Sequence, residues 1–385
     1  MTKKVAIVAV AQTKYEENYY RQSELVYQCV EKVLDETGLT FQEGKGIDAA
    51  VTASDDFWDA RTISDTPIGD VVGAHYRAEE KVAQDGAQAA FYAYMEILSG
   101  HSDIVLVTAH CKESQPVSRN IITNAGFDPY FQRPLGLDHL VAAALQARRY
   151  MHTCGITREQ CAKAVVKSHK NGKNNPYVTK ARDITVEDVL NSKMLASPIS
   201  ELDIHPVTDG ACALIIAEEE KAKKITDNMV WIKGASDCYD AFYLGDRDLA
   251  NCDSLFSAAK RAYKMAGIKN PLKEIDVAEI STRYSYQEPL WTEGLGFCDR
   301  GEGGKLLDEG ITEMGGEIPV NPSGGVLVGC PYITAGLARV AEISLQLRGE
   351  AGARQVSGAK VGLAHGTSGP CGQLHCVLIL GKWDR

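Results

Sequence analysis

The chain has 385 residues, of which 44% are hydrophobic and 24% charged, and its formal net charge is −10. Single cores stop growing at roughly 250–300 residues, so two domains or a duplicated fold are expected. The acidic balance argues against nucleic acid as the main partner, because phosphate backbones are met by clustered Lys and Arg, although a local basic patch can still hold a small polyanion.

In chain order, the first apolar run is Val5–Ala11. It is too short for a signal peptide core and is followed at once by polar residues, so it reads as a buried strand. No stretch approaches the ~18 apolar residues that a bilayer span needs. No membrane partner and a cytoplasmic location are therefore expected, and the 11 cysteines are read as reduced thiols. No pair has CxxC spacing, and neither Cys154/Cys161 nor Cys371/His375/Cys376 matches a structural zinc site, so no metal is expected.

A helix is predicted from an N-cap at Ser23 to a stop at Gly38, followed after Ile47-Asp48 by a short apolar strand. The same order recurs later. A strand over Met229–Ala235 precedes a helix from an N-cap at Asp253 to Gly267, and a strand follows Ile275-Asp276. The next elements also match. An Ala-rich helix over Gly86–Gly100, which Asp85 is placed to cap, precedes a strand at Ile104–Thr108. Its counterpart is a helix over Thr334–Gly349 before a strand at Lys360–Ala364. Alternating strands and helices in two copies imply a layered α/β fold built by duplication. A region at about 116–205, rich in Asn, Lys, Arg and Pro, interrupts the first copy. That copy closes with the buried-strand run Asp209–Ile216, and 217–228 reads as a charged linker.

Three segments carry a resemblance: Ser192–Pro198 followed by Thr208-Asp209-Gly210-Ala211; Ile318-Pro319-Val320-Asn321-Pro322-Ser323-Gly324-Gly325; and Gln346–Gly352 with Arg354-Gln355-Val356. Together with the duplicated halves they resemble the thiolase superfamily over essentially the whole chain, nearest the sterol-carrier-type and archaeal thiolases. The resemblance implies a five-layered α/β/α/β/α sandwich of duplicated βαβαβ halves. The N-terminal half would span 1–220 with the loop domain at about 116–205, and the C-terminal half 221–385. It also implies an acyl-CoA substrate with free CoA as co-substrate and no covalently bound cofactor. A homodimer core and a small zinc-ribbon/OB-fold subunit are the partners implied.

Family chemistry uses a cysteine nucleophile, a histidine base and a second acid/base, with oxyanion holes for the developing charge. Each station is altered here. The nucleophile position, three residues before Gly86, is Ala83. The usual Gly-His-Pro is Gly329-Cys330-Pro331, followed by Tyr332. The loop that normally carries Asn or His with an acid and a Phe reads Ser281-Thr282-Arg283-Tyr284. The C-terminal loop keeps His365, as in the sterol-carrier type, followed by Gly366 and Thr367.

Two catalytic schemes follow from the resemblance. In the first, Cys330 is the nucleophile and His365 its base, a small Ala83 leaves room for a bulkier acyl group, Ser281, Tyr284 and Tyr332 contact substrate, and the backbone near Thr367 serves an oxyanion hole. The reaction is then thiolysis of a β-oxoacyl-CoA, including bulky or aromatic ones. In the second, Tyr284 and Tyr332 act as acid and base in retro-aldol cleavage of a β-hydroxyacyl-CoA, without an acyl-enzyme. A non-catalytic thiolase-like scaffold is the third reading. The bland alternatives are a buried inert thiol at Cys330, a loop-satisfying imidazole at His365 and core aromatics at the two tyrosines. The basic stretch Lys167–Lys173 with His169 is either a solvated helix face or a contact for CoA phosphates. Gly301–Lys305 and Gly366–Pro370 lack the spacing of a P-loop and of a nucleophile elbow.

Overall fold

The structure is a computed structural model that describes residues 3–42, 46–116 and 118–382. The extreme ends of the two expected halves, and part of the polar stretch after the first helix, lie outside these residues.

Nine strands form the main sheet: β1 (Val5–Gln12), β2 (Ala49–Ala53), β3 (Ala78–Val82), β4 (Ile104–Lys112), β5 (Asp209–Glu218), β6 (Val230–Tyr239), β7 (Val277–Ile280), β8 (Val361–Ser368) and β9 (Leu374–Gly381). Their order is β3-β2-β4-β5-β1-β6-β9-β8-β7. The duplication is visible in the pairing. β5 runs antiparallel to β1 and β4, and β2 is parallel to β4. In the second half β9 runs antiparallel to β6 and β8, and β7 is parallel to β8. The counterpart of β3 is a single parallel bridge, Ala278–Val320. The half-sheets join where β1 and β6 share the pairs Ala6–Trp231 and Ile7–Val230.

The helices that matter here are α1 (Gln22–Thr37), α2 (Gly86–Ser99), α3 (Arg119–Asn124), α4 (His139–Cys154), α5 (Arg158–Gly172), α6 (Asp253–Ala266), α7 (Gln287–Gly294) and α8 (Ala335–Arg348). Strand residues alternate between faces, and in central strands such as β5 and β9 both faces are buried. In β5, Ala211, Ala213, Ile215 and Ala217 pack with Leu25, Val26, Val30 and Val33 of α1. Cys212, Leu214 and Ile216 face the other way, against α2 and α8. On the far side of the second half-sheet, Leu255, Ala258, Ala259 and Ala262 of α6 pack with Leu363, Val377 and Ile379. The result is five layers: α1, first half-sheet, α2 with α8, second half-sheet, α6. Each buried Leu, Ile or Val contributes roughly 1.5–3 kcal/mol, so the duplicated apolar periodicity is the main stabilising pattern.

Local expectations shift in detail. The α1 and α6 helices begin a residue or two early, with Arg21 and Cys252 as caps. The charged stretch after β5 forms a helix, Glu219–Ile225, capped by Glu218. Asp85 caps α2 by accepting from the amide of Ala87 at 2.9 Å, and it also accepts from Gly336 N–H of α8 at 3.0 Å. A Cβ on Gly336 would lie 1.5 Å from that carboxylate, which explains the glycine. The Asn321–Gly325 run is a brace. Asn321, at φ 55°, accepts the Ile280 amide at 2.7 Å. Glu279 accepts from Ser323 at 2.9 and 2.8 Å and from Arg339 of α8 at 2.6 Å.

Candidate active site

Between β4 and β5 lie α3, α4, α5 and the chain up to 207. They roof a cavity of about 470 Å³ whose floor is the loops at 283–284 and 327–332. Trp58, His139, Tyr284 and Tyr332 form an aromatic wall, and Leu140, Leu195, Leu202, Ile204, Val207 and Leu327 an aliphatic one. Arg119, Lys180, Arg182 and Arg283 supply positive charge, and His169 and His205 add imidazoles.

Tyr332 is held on both sides. Its ring stacks on Trp58 at 5.1 Å between centroids, and the Arg283 guanidinium carbon lies 3.5 Å from its centroid. Arg283 also donates to the carbonyls of Tyr332 (3.1 Å) and Thr367 (2.9 Å), and its Nη2 is 3.7 Å from Asp85. The altered station loops therefore converge, as the resemblance implies, and the group at their junction is Arg283. The segment of Tyr284 runs antiparallel to that of His205: Ile204 bridges Tyr284, and the His205 amide donates to the Arg283 carbonyl at 3.0 Å. Neither tyrosine hydroxyl has a hydrogen-bond partner among the described residues. Burial raises both phenols above the ordinary tyrosine range, with Arg283 opposing this at Tyr332 and Arg119 at Tyr284.

Glu113, with a fully buried side chain, stands behind this wall. It pairs with Arg119, accepts from the Tyr332 amide at 2.9 Å and lies 3.3 Å from His205 Nε2. Burial works against its charge, but Arg119 and His205 hold its carboxyl at about 2. Burial, with Arg283 and His205 adding to it, drives His139 down to about 3, so this imidazole is neutral at pH 7.

The first catalytic scheme does not assemble. Cys330 is fully buried and packs with Tyr15, Val326, Ala335 and Ala338, outside the cavity lining. Burial pushes its thiol up to about 12, with Arg339 opposing. His365 is also fully buried. Its Nε2 pairs with His375 Nδ1 at 2.9 Å, its Nδ1 has no hydrogen-bond partner among the described residues, and so it makes no hydrogen bond to Cys330. The expected Cys330–His365 pair is corrected on this ground: strand pairing through β8 and β9 directs His365 to His375 rather than to the Cys330 loop. Ala83 is exposed directly after β3, Ser281 is buried with a hydroxyl unpartnered among the described residues, and the Thr367 hydroxyl donates to the Leu374 carbonyl at 2.9 Å. None of these three lines the cavity. Of the basic stretch, Lys167 is not a phosphate contact. It is buried against Glu288 and donates to the Thr312 hydroxyl at 2.9 Å. His169 does line the cavity.

A thiol this protonated is unreactive, so Cys330 stays unmodified when native protein is treated with iodoacetamide at pH 8 and becomes modified in denaturant. Peptide mapping reads this, and alkylation of Cys330 in native protein would contradict the placement.

Sequence reasoning missed Trp58, Glu113, Arg119, His139 and His205, and quoted Arg283 only as a departure. The signal for His205 was faint: an Asp-Ile-His-Pro run just before the closing strand of the first half. Among the described residues no helix is long and apolar enough to cross a membrane.

Residues 238–382 match the family model described as thiolase C-terminal domain-like. The chain is 37% identical over 295 residues to an acetyl-CoA acetyltransferase of Methanothermobacter thermautotrophicus, covering 76% of each chain. It is 32% identical over 231 residues to benzoylsuccinyl-CoA thiolase subunit BbsB of Thauera aromatica, covering 59% of this chain and 60% of that one. Among solved structures, the Ltp2-ChsH2(DUF35) aldolase superposes with a TM-score of 0.80 at 25% identity, covering 98% of this chain and 97% of the other. With these matches, the duplicated half-sheets and the converging loops, the chain belongs to the thiolase superfamily.

Proposed function

We propose that this chain cleaves a carbon–carbon bond in a CoA thioester by a retro-aldol reaction. A β-hydroxyacyl-CoA releases an aldehyde or ketone and a shortened acyl-CoA, and no acyl-enzyme forms. The observation that carries this reading is the placement of Tyr284 and Tyr332 on the cavity wall while Cys330 lies outside it and Ala83 occupies the nucleophile station.

Both phenols are protonated at neutral pH, so they serve as acids. One hydrogen-bonds the thioester oxygen as charge gathers there, and the other returns a proton to Cα. The aromatic wall of Trp58, His139 and Tyr332 suits a flat or ring-bearing β-substituent, which agrees with a relative named for benzoylsuccinyl-CoA. Lys180 and Arg182 at the cavity suit the CoA phosphates. The neighbour named as an aldolase supports the reaction type, and its name, which joins two proteins, supports a second subunit here. A small zinc-ribbon/OB-fold partner and a homodimer core belong to the same reading.

Thiolysis of a β-oxoacyl-CoA is the second reading, favoured by the relative named acetyl-CoA acetyltransferase. It requires Cys330 to reach the cavity. Two probes separate the reactions. The proposed chemistry releases benzaldehyde and acetyl-CoA from 3-hydroxy-3-phenylpropionyl-CoA without added CoA, and leaves 3-oxo-3-phenylpropionyl-CoA intact. CoA-dependent formation of benzoyl-CoA from the oxo compound, with no benzaldehyde from the hydroxy compound, would replace it with thiolysis.

A further inference from the structure

Retro-aldol cleavage needs a base for the β-hydroxyl proton, and the two protonated phenols do not supply one. We propose that His205, oriented by Glu113, is that base, an inference that rests on the retro-aldol reading.

The geometry sets the tautomer. The Glu113 carboxylate is ionised and only accepts hydrogen bonds, and it lies 3.3 Å from Nε2 of His205. Nε2 therefore carries the proton, and Nδ1 keeps its lone pair. Among the described residues that buried Nδ1 has no hydrogen-bond partner, and its residue lines the cavity. A buried, unpartnered acceptor is costly unless a ligand meets it. The residue cannot drift from this position. Its amide donates to the Arg283 carbonyl at 3.0 Å, and its carbonyl accepts from Arg119 at 2.9 Å. The bridge between Ile204 and Tyr284 holds the segment that carries His205 against the one that carries Arg283 and Tyr284.

Base and acid thus sit on adjacent antiparallel segments. The β-hydroxyl proton moves to His205 Nδ1, and the oxygen electrons form the new carbonyl. The Cα–Cβ bond breaks, and its electron pair becomes the thioester enolate. A phenol protonates Cα, and the imidazolium proton, passed directly or through solvent, restores the phenol. No oxidant or co-reactant is consumed. Glu113 is the positioning residue, because it fixes the tautomer and stabilises the imidazolium that forms.

The charged and titratable groups facing His205 are Glu113, Arg119, Arg283 and His139. Burial is the largest influence, followed by Arg119, and together they lower His205 below the ordinary imidazole range despite Glu113. The free base is therefore present at neutral pH. Turnover falls only as pH drops through that lowered value, which gives an acid limb below the usual histidine range.

The test uses 3-hydroxy-3-phenylpropionyl-CoA with the wild-type chain and the His205→Ala variant. Turnover by the variant is expected to be slower by about 10²–10⁴-fold, the range for a lost general base, with cooperative unfolding retained and partial recovery on adding imidazole. Nitrogen-15 NMR of the wild type is expected to show the neutral, Nε2-protonated form of His205, and Glu113→Gln is expected to convert it to the other tautomer. A variant within threefold of wild type, or an Nδ1-protonated resting state, overturns the assignment while leaving the retro-aldol reading in place. A wild-type chain that releases no benzaldehyde defeats the reading itself, and the role of His205 as its base falls with it.

Discussion

Replacing Tyr332 with phenylalanine is expected to slow benzaldehyde release from 3-hydroxy-3-phenylpropionyl-CoA at saturation by about 10²–10⁴-fold, with KM changed by less than threefold. The ring of Tyr332 is fixed by Trp58 at 5.1 Å and by Arg283 at 3.5 Å, contacts that phenylalanine keeps. Only the hydroxyl is lost, and it has no partner among the described residues. A structural role for the residue would therefore leave turnover nearly intact. Burial keeps the phenol protonated through neutral pH, so the deletion removes a proton donor rather than a base. Steady-state kinetics with the two proteins decide the matter, and turnover within threefold of wild type would remove Tyr332 from the reaction.

The largest expected loss of stability comes from Arg339→Met. Arg339 is 2% exposed and bonds Glu279 at 2.6 Å and the Ser323 hydroxyl at 2.9 Å. Glu279 is itself fully buried on β7. Methionine keeps most of the stem but leaves the carboxylate without its counter-charge, which costs about 3–5 kcal/mol for a broken buried pair. The same contacts hold the Asn321–Gly325 turn against α8, so the loop that leads to Tyr332 loosens too. Denaturant unfolding of Arg339→Met and of the double variant with Glu279→Gln measures this. The double variant should recover part of the loss, and a single-variant loss below about 1 kcal/mol would show that the pair is not a brace.

The duplicated architecture was legible because it rests on local patterns: apolar residues at helical spacing, glycine stops at Gly38 and Gly267, and buried runs such as that of β5. The Asp85 cap was legible for the same reason. The edge strand Ala78–Val82 was not, since Glu79, Glu80 and Lys81 give it the charge typical of a sheet edge and no apolar alternation. The site was harder still. Glu113 and His205 are 92 residues apart, and neither lies in a motif. Lys167 looked like a solvated helix face because its partner Glu288 is 121 residues away. Cys330 occupies a family station by motif position, yet position in a motif does not tell which way a side chain points. The structure turns the thiol into the packing around Tyr15 and leaves Tyr332, two residues on, as the group that reaches the cavity.

Cleavage without a cysteine nucleophile is tested most directly by assaying Cys330→Ala beside wild type on 3-hydroxy-3-phenylpropionyl-CoA, with intact-mass spectrometry of both proteins during turnover. The expected result is benzaldehyde release by the variant within threefold of wild type and no acyl adduct on either protein. Loss of activity by more than 100-fold, together with a wild-type adduct that maps to Cys330, would contradict it.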